Sequence, residues 1–205
     1  MSEQSTKGSS TYYYIIAIVL VLVDQISKVA VKGCNVFGIK HLGMHIGESF
    51  PVFGDIVRIT FVENPGMAFG VEFGSGKIFL TLFSLIASFA LLYYLRMIQN
   101  AHICIRIAIM LILAGAFGNF IDRMFYGVLY GEGPLFYGLV VDFIQIDIPD
   151  ITIGSLTYTH WPVFNIADSC VTIGMILLIL FNKHLPYPFI PHSKEKTTEE
   201  HGEQS

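Results

Sequence analysis

Residues 12–31 read YYYIIAIVLVLVDQISKVAV, an apolar run broken only in its last third, by Asp24, Gln25, Ser27 and Lys28. A helix needs about 20 mostly apolar residues to cross the ~30 Å of a bilayer's hydrocarbon, and this run has that length. It does not read as a removable leader, because two charges lie inside it and no small-x-small cleavage site follows. It is expected to be a permanent membrane span. Three further runs come close to the same demand: Ile78 to Leu95, Cys104 to Ile121, and Val163 to Asn182.

Composition points the same way. Of the 205 residues, 53% are hydrophobic and 14% charged, against about 25% charged in a typical soluble domain. The expected fold class is a membrane all-α domain over residues 12–182. It has four transmembrane helices (about 12–31, 78–95, 104–121 and 163–182) and a small β-rich element at the outer, periplasmic interface. Four spans put both termini on one side. Arg96, Arg106 and Lys183, in or beside short segments, make that side the cytoplasm. Residues 32–77 and 122–162 are then the outer segments. The polar ends, 1–11 and the acidic tail within 183–205, are expected to be a disordered N-terminus and a solvated cytoplasmic tail.

The outer segments carry strand signals. Ile56 to Val62 (IVRITFV) is β-branched and bounded by Gly54 and by Asn64-Pro65-Gly66, itself a turn sequence. Leu139 to Ile148 (LVVDFIQIDI) follows the glycine-rich stretch Tyr126 to Gly138. A sheet at the interface would satisfy backbone groups that lipid could not. The net charge of −4 suggests no nucleic-acid partner. Cys34, Cys104 and Cys170 are too scattered for a disulfide frame or a zinc site.

A charge near the bilayer centre costs on the order of 3 kcal/mol, so ionisable residues within spans are functional candidates. Here they gather at one depth. Asp24 and Lys28 lie in the outer part of the first span, Asn119 and Asp122 end the third, and Asn165 and Asp168 begin the fourth. Asn119/Asp122 and Asn165/Asp168 are both N-x-x-D, which places an amide and a carboxylate on one helix face. Plain structural roles are open to most of them. Asp24 and Lys28 suit an i, i+4 pair, Asn119, Asp122 and Arg123 a brace with Arg123 neutralising Asp122, and Asn165 a helix cap. Asp142, inside the apolar string Val140-Val141-Asp142-Phe143-Ile144, and Asp168 have no basic neighbour within four residues. Desolvation and a second carboxylate favour a shared proton. One ionised and one protonated aspartate are the working parts of aspartyl proteolysis.

Five short strings, in order at the ends of the four spans, give the chain a resemblance to the lipoprotein signal peptidases (signal peptidase II). They are Asp24-Gln25 with Lys28; Asn64-Pro65-Gly66 with Ala68-Phe69-Gly70; Gly115-Ala116 and Gly118-Asn119 with Asp122-Arg123; Val140-Val141-Asp142-Phe143; and Phe164-Asn165-Ile166-Ala167-Asp168-Ser169. The resemblance implies a multi-pass enzyme of the bacterial inner membrane, acting at its periplasmic face without metal or cofactor. Asp142 and Asp168 would be its catalytic pair. Asp24, Lys28, Asn64, Gly66, Asn119, Asp122, Arg123, Asn165 and Ala167 would support or line the site. It further implies diacylglyceryl prolipoproteins as substrates, cut just before the lipid-modified cysteine, a monomeric state, and cyclic peptide antibiotics of the globomycin type as inhibitors.

One departure from the family is the stretch Met124 to Val141, longer than the connection usual there, which suggests an amphipathic lid or an enlarged interfacial loop. It also leaves Asp122 and Asp147 as rival partners for Asp168. Two other function classes fit parts of the pattern. A proton-coupled transporter would use the Asp/Asn cluster as an ion site, but it needs a polar path that the apolar inner halves of spans two to four do not offer. A noncatalytic lipoprotein-binding protein would need the acids for structure alone.

Overall fold

The computed structural model describes residues 11–36, 38–66, 76–154 and 156–186. The Ala68-Phe69-Gly70 string, residues 1–10 and the tail beyond 186 lie outside the described residues.

Helix α1 (Thr11–Lys32) buries Ala17, Asp24, Lys28 and Val31, which fall on one helical stripe. Its outward face is Ile15, Ile18, Val19, Leu22, Val23 and Ile26. This is the reverse of a soluble amphipathic helix, with charge inside and aliphatic side chains outside. Only a lipid surround makes that arrangement favourable. Helices α2 (Gly76–Met97) and α3 (Ile103–Ile121) follow, and α3 is the central rod, in contact with α1, α2 and α5 (Ile166–Leu180). Close approach depends on small residues. A Cβ on Gly115 would overlap the Ala167 carbonyl, and one on Gly118 would stand 2.7 Å from Asp24 Oδ2.

Two of the expected span boundaries change. The third helix does not stop at Ile121. It runs through a π-helical turn, Asp122–Tyr126, into the short α4 (Gly127–Leu129), one apolar rod from Ile103 to Leu129. The fourth begins at Ile166 rather than Val163, because Phe164 is used as strand: its N–H donates to the Ile144 carbonyl (3.0 Å) and its carbonyl accepts from Ile144 N (2.7 Å). Among the described residues, three helices therefore have membrane-spanning length, and the fourth apolar helix is shorter.

The β structure beside the helices forms two small antiparallel sheets. A hairpin pairs β1 (Gly33–Val36) with β2 (Ile39–Leu42). A four-stranded antiparallel sheet has the order β3 (Ser49–Phe53), β4 (Val57–Asn64), β5 (Val140–Ile153), β6 (Leu156–His160). The expected strands are the cores of β4 and β5. Residues 149–153 extend β5, and residues 156–160 return as β6. The 124–141 stretch closes back on the helix that precedes it. Gly138 N donates to the Arg123 carbonyl (2.9 Å), Phe136 N to that of Met124 (3.1 Å), and Thr81 Oγ1, from α2, to that of Phe136 (3.2 Å). It is an ordered loop sitting on the helix end.

Candidate active site

Strand β5 brings the two halves of the site together. On one side it pairs with β4, where Val62 faces Asp142 and Asn64 faces Val140. On the other, the Ile144–Phe164 bridge fastens it to the residues that enter α5. Asp142 is thereby buried beside the first turn of α5, which holds Asp168.

Three asparagines address these two aspartates, and each has its amide oxygen committed elsewhere. Asn64 Oδ1 accepts from Gly66 N (2.9 Å), which turns its Nδ2 to Asp142 Oδ2 (3.0 Å). That turn needs φ +92° at Gly66, a left-handed conformation favouring glycine. Asn165 caps α5, its Oδ1 accepting from Asp168 N (2.9 Å), and its Nδ2 donates to Asp142 Oδ1 (2.7 Å). Asn119 Oδ1 accepts from Lys28 Nζ (2.9 Å), and its Nδ2 donates to Asp168 Oδ1 (2.7 Å). The remaining Asp168 oxygen accepts from Asn165 N (3.2 Å) in a capping box. Asn165 therefore bonds both aspartates. Across the helices, Asn119 of the first N-x-x-D pair bonds Asp168 and Asn165 of the second.

A second layer holds this one. Lys28, fully buried, lies 2.8 Å from both Asp24 Oδ2 and Asp122 Oδ2. Asp24 Oδ1 accepts from Ala167 N (2.9 Å), so a carboxylate from α1 stabilises the N-terminus of α5. Asp122 also accepts from Gln25 Nε2 (2.8 Å) and from Val141 N (3.3 Å), one residue before Asp142. Its salt-bridge partner is thus Lys28, while the adjacent Arg123 donates to Ser84 Oγ. Both Asp122 oxygens are taken. Asp147, the other rival, lies further along β5 and accepts from Gln145 Nε2.

Sequence reasoning missed three contributors. Gln25 ties Asp24, Asp122 and the Gly118 carbonyl together, and Tyr126 donates to Gln25 Oε1 (3.1 Å). Ser84 Oγ accepts from Arg123 Nη1 (3.4 Å). Only Gln25 left a signal, by adjoining Asp24 on the buried side of α1.

Burial, and then the nearby Asp168 charge, push the Asp142 carboxyl up to about 7, against the smaller opposing effect of its two amide donors and of Lys28. The Arg123 charge interacts electrostatically with Asp122 and, less strongly, with Asp168 and Asp142. The cluster therefore holds four carboxyls against two cations, Lys28 and Arg123, which favours keeping one proton. A water-activating carboxylate beside a protonated one is what amide hydrolysis requires.

Known proteins resemble the chain over most of its length. The family model described as Signal peptidase (SPase) II matches residues 16–182. A lipoprotein signal peptidase of Porphyromonas gingivalis is 35% identical over 190 residues, covering 80% of this chain and 79% of its own. That of Halothermothrix orenii is 33% identical over 82% of this chain and 92% of its own, and that of Chlorobium phaeobacteroides 32% over 93% and 99%. A solved structure described as a bacterial membrane enzyme, determined by the in meso method at 1.9 Å, superposes with a TM-score of 0.60 at 35% identity. It covers 84% of this chain and 92% of that one. Since these matches span all the helices that carry the cluster, the chain belongs to the signal peptidase II family of membrane peptidases.

Proposed function

We propose that this protein is an aspartyl endopeptidase that removes signal peptides from diacylglyceryl-modified prolipoproteins, cutting just before the lipid-modified cysteine. The observation that carries the reading is the joint grip of Asn165 on Asp142 (2.7 Å) and Asp168 (3.2 Å), two carboxyls on separate elements, neither in a salt bridge among the described residues. Both aspartates have donors on both oxygens, so the raised carboxyl is the one assigned the proton. Asp142, pushed up to about 7, holds the proton. Asp168 takes a proton from water, which attacks the scissile carbonyl, while Asp142 donates a hydrogen bond to the carbonyl oxygen. Proton transfer to the leaving nitrogen then breaks the C–N bond, releasing the signal peptide carboxylate and the amino group of the lipidated cysteine. Arg123 interacts electrostatically with the pair and offsets its charge.

In this reading the protein lies in a bacterial inner membrane as a monomer, with both termini in the cytoplasm and the dyad at the periplasmic face. The ion-site reading has no matching feature, because the buried charges of α1 and α3 lie at one end of the bundle. The other end packs Leu95, Ile98, Ile105 and Ile109. The test is cleavage of a diacylglyceryl prolipoprotein by the purified protein in lipid vesicles. Asp142→Asn and Asp168→Asn should each abolish cleavage with the fold intact, and globomycin-type peptides should inhibit it. Full activity in either variant would refute the dyad, and equal cutting of the unlipidated precursor would refute the substrate. Export of a reporter fused after Lys183 would refute the orientation.

A further inference from the structure

Away from the aspartates, Lys32 is the hub of a second charged cluster. It is the last residue of α1, and its side chain is 4% exposed. Its ammonium donates to Glu63 of β4 and to both oxygens of Glu132 (2.7 Å each), and it lies 4.4 Å from the centre of the Tyr130 ring. Tyr130 in turn donates its hydroxyl to the Gly33 carbonyl (2.8 Å) and meets Tyr126 edge-on. Tyr126 donates to Gln25 two turns earlier on α1. The end of the third helix, through Tyr126, and the loop that follows it, through Tyr130 and Glu132, therefore grip α1 at two heights, and at the upper one the grip includes β4.

Glu63 has a place in the site's frame. It faces Val141 across the β4–β5 ladder, and the next residue, Asn64, donates to Asp142. Resting on the dyad reading above, we propose that Lys32 and Glu132 form a latch between the loop and the Glu63–Asn64 strand end, making both positioning residues for Asp142 in peptide hydrolysis. Lys32 holds Glu63, the strand end holds Asn64, and Asn64 fixes one oxygen of Asp142. Tyr130 keeps the ammonium in place from above. The segment expected to be a lid or an enlarged interfacial loop is what closes the latch.

Loosening the latch weakens the Asn64 donor, which otherwise favours the ionised form of Asp142, so the alkaline limb of the pH–rate profile moves up. Simple charge removal predicts differently at Glu132. Deleting a nearby negative charge would move that limb down, which separates positioning from long-range electrostatics. The experiment is the pH dependence of prolipoprotein cleavage in vesicles for wild type, Asn64→Ala, Lys32→Met and Glu132→Gln. Glu132 is 42% exposed, so its substitution leaves the fold intact even where Lys32→Met does not. Expected are a kcat lower by about tenfold in Lys32→Met and about threefold in Glu132→Gln, with KM within about twofold. The alkaline limb should rise by roughly half a pH unit in all three variants. A rise in Asn64→Ala with no rise, or a fall, in Glu132→Gln overturns the latch and leaves the dyad standing. A limb unmoved even in Asn64→Ala, or an active Asp142→Asn, removes the dyad reading and the latch with it.

Discussion

Asparagine is the residue on which this site turns. Its amide has a donor end and an acceptor end, and each of Asn64, Asn119 and Asn165 has the acceptor end occupied by a partner that cannot accept: a backbone N–H, an ammonium, and a second backbone N–H. The donor end is thus delivered to an aspartate without ambiguity. A consequence for stability follows from Asp142. Its proton is held more tightly in the folded state, where it titrates near 7, than in the unfolded chain. The stabilisation tied to that proton is complete at acid pH and is lost as pH rises toward and through 7. Asp142→Asn, which cannot ionise, should therefore have a higher melting temperature than wild type at pH 8, with the gap narrowing at pH 5. A gap independent of pH would show that Asp142 is not buried in the way described. At this scale the sequence was informative about which residues matter and silent about their pairing. N-x-x-D places an amide and an acid on one face, but nothing in it says that Asp122 turns to Lys28 and Asp168 to Asn119. Those choices depend on the neighbouring helices.

Among the elements, helices were easier to read than strands because apolar length is a local property. The centres of all four apolar runs coincide with helices, and the errors fall at ends set by tertiary bonds. Phe164 leaves the fourth run to pair with Ile144, and Asp122–Tyr126 continues the third past its last aliphatic residue. The length of β5 and the existence of β6 depend on cross-strand pairing over residues 147–160, which a residue-by-residue pattern underestimates. The α3–α5 contact makes a sharp prediction. Gly115 leaves no room for a side chain against the Ala167 carbonyl, and Ala167 lies between Asn165 and Asp168. Gly115→Val should destabilise the protein by about 1–3 kcal/mol, the usual cost of overpacking, seen as a lower melting temperature. It should also cost more activity than Ile173→Val on the lipid-facing side of α5, where the side chain is exposed. Equal effects would mean that the close approach does not position the dyad.

For the whole molecule, polarity is arranged inside out. Charge and amide groups fill the space between helices at one end, aliphatic side chains face outward, and the sheet stands on the charged end. This explains why a site made from separated strings was visible in one sequence: lipid permits buried charge only where it is satisfied, so the fully buried charges of the described spans, Asp24, Lys28 and Asp122, all belong to the cluster. Lys32, Lys77, Arg96 and Arg106 lie towards the ends of their helices, where a charge needs no special reason, and so Lys32 and its partners gave no signal.

Helix α5, at 15 residues, is about 22 Å long at 1.5 Å per residue, well short of the ~30 Å of a hydrocarbon core. A bilayer answers a short helix by thinning beside it. Around α5 the water surface should dip, forming a shallow dimple whose floor is the capped end that carries Asp168. On the proposed function, water would thus reach the scissile bond of the prolipoprotein at the depth where its lipid-modified cysteine rests, and neither acyl chain would need to be lifted. Vesicles of short-chain lipid should support faster turnover than those of long-chain lipid, with little change in KM. A rate indifferent to bilayer thickness would mean that the dimple plays no part.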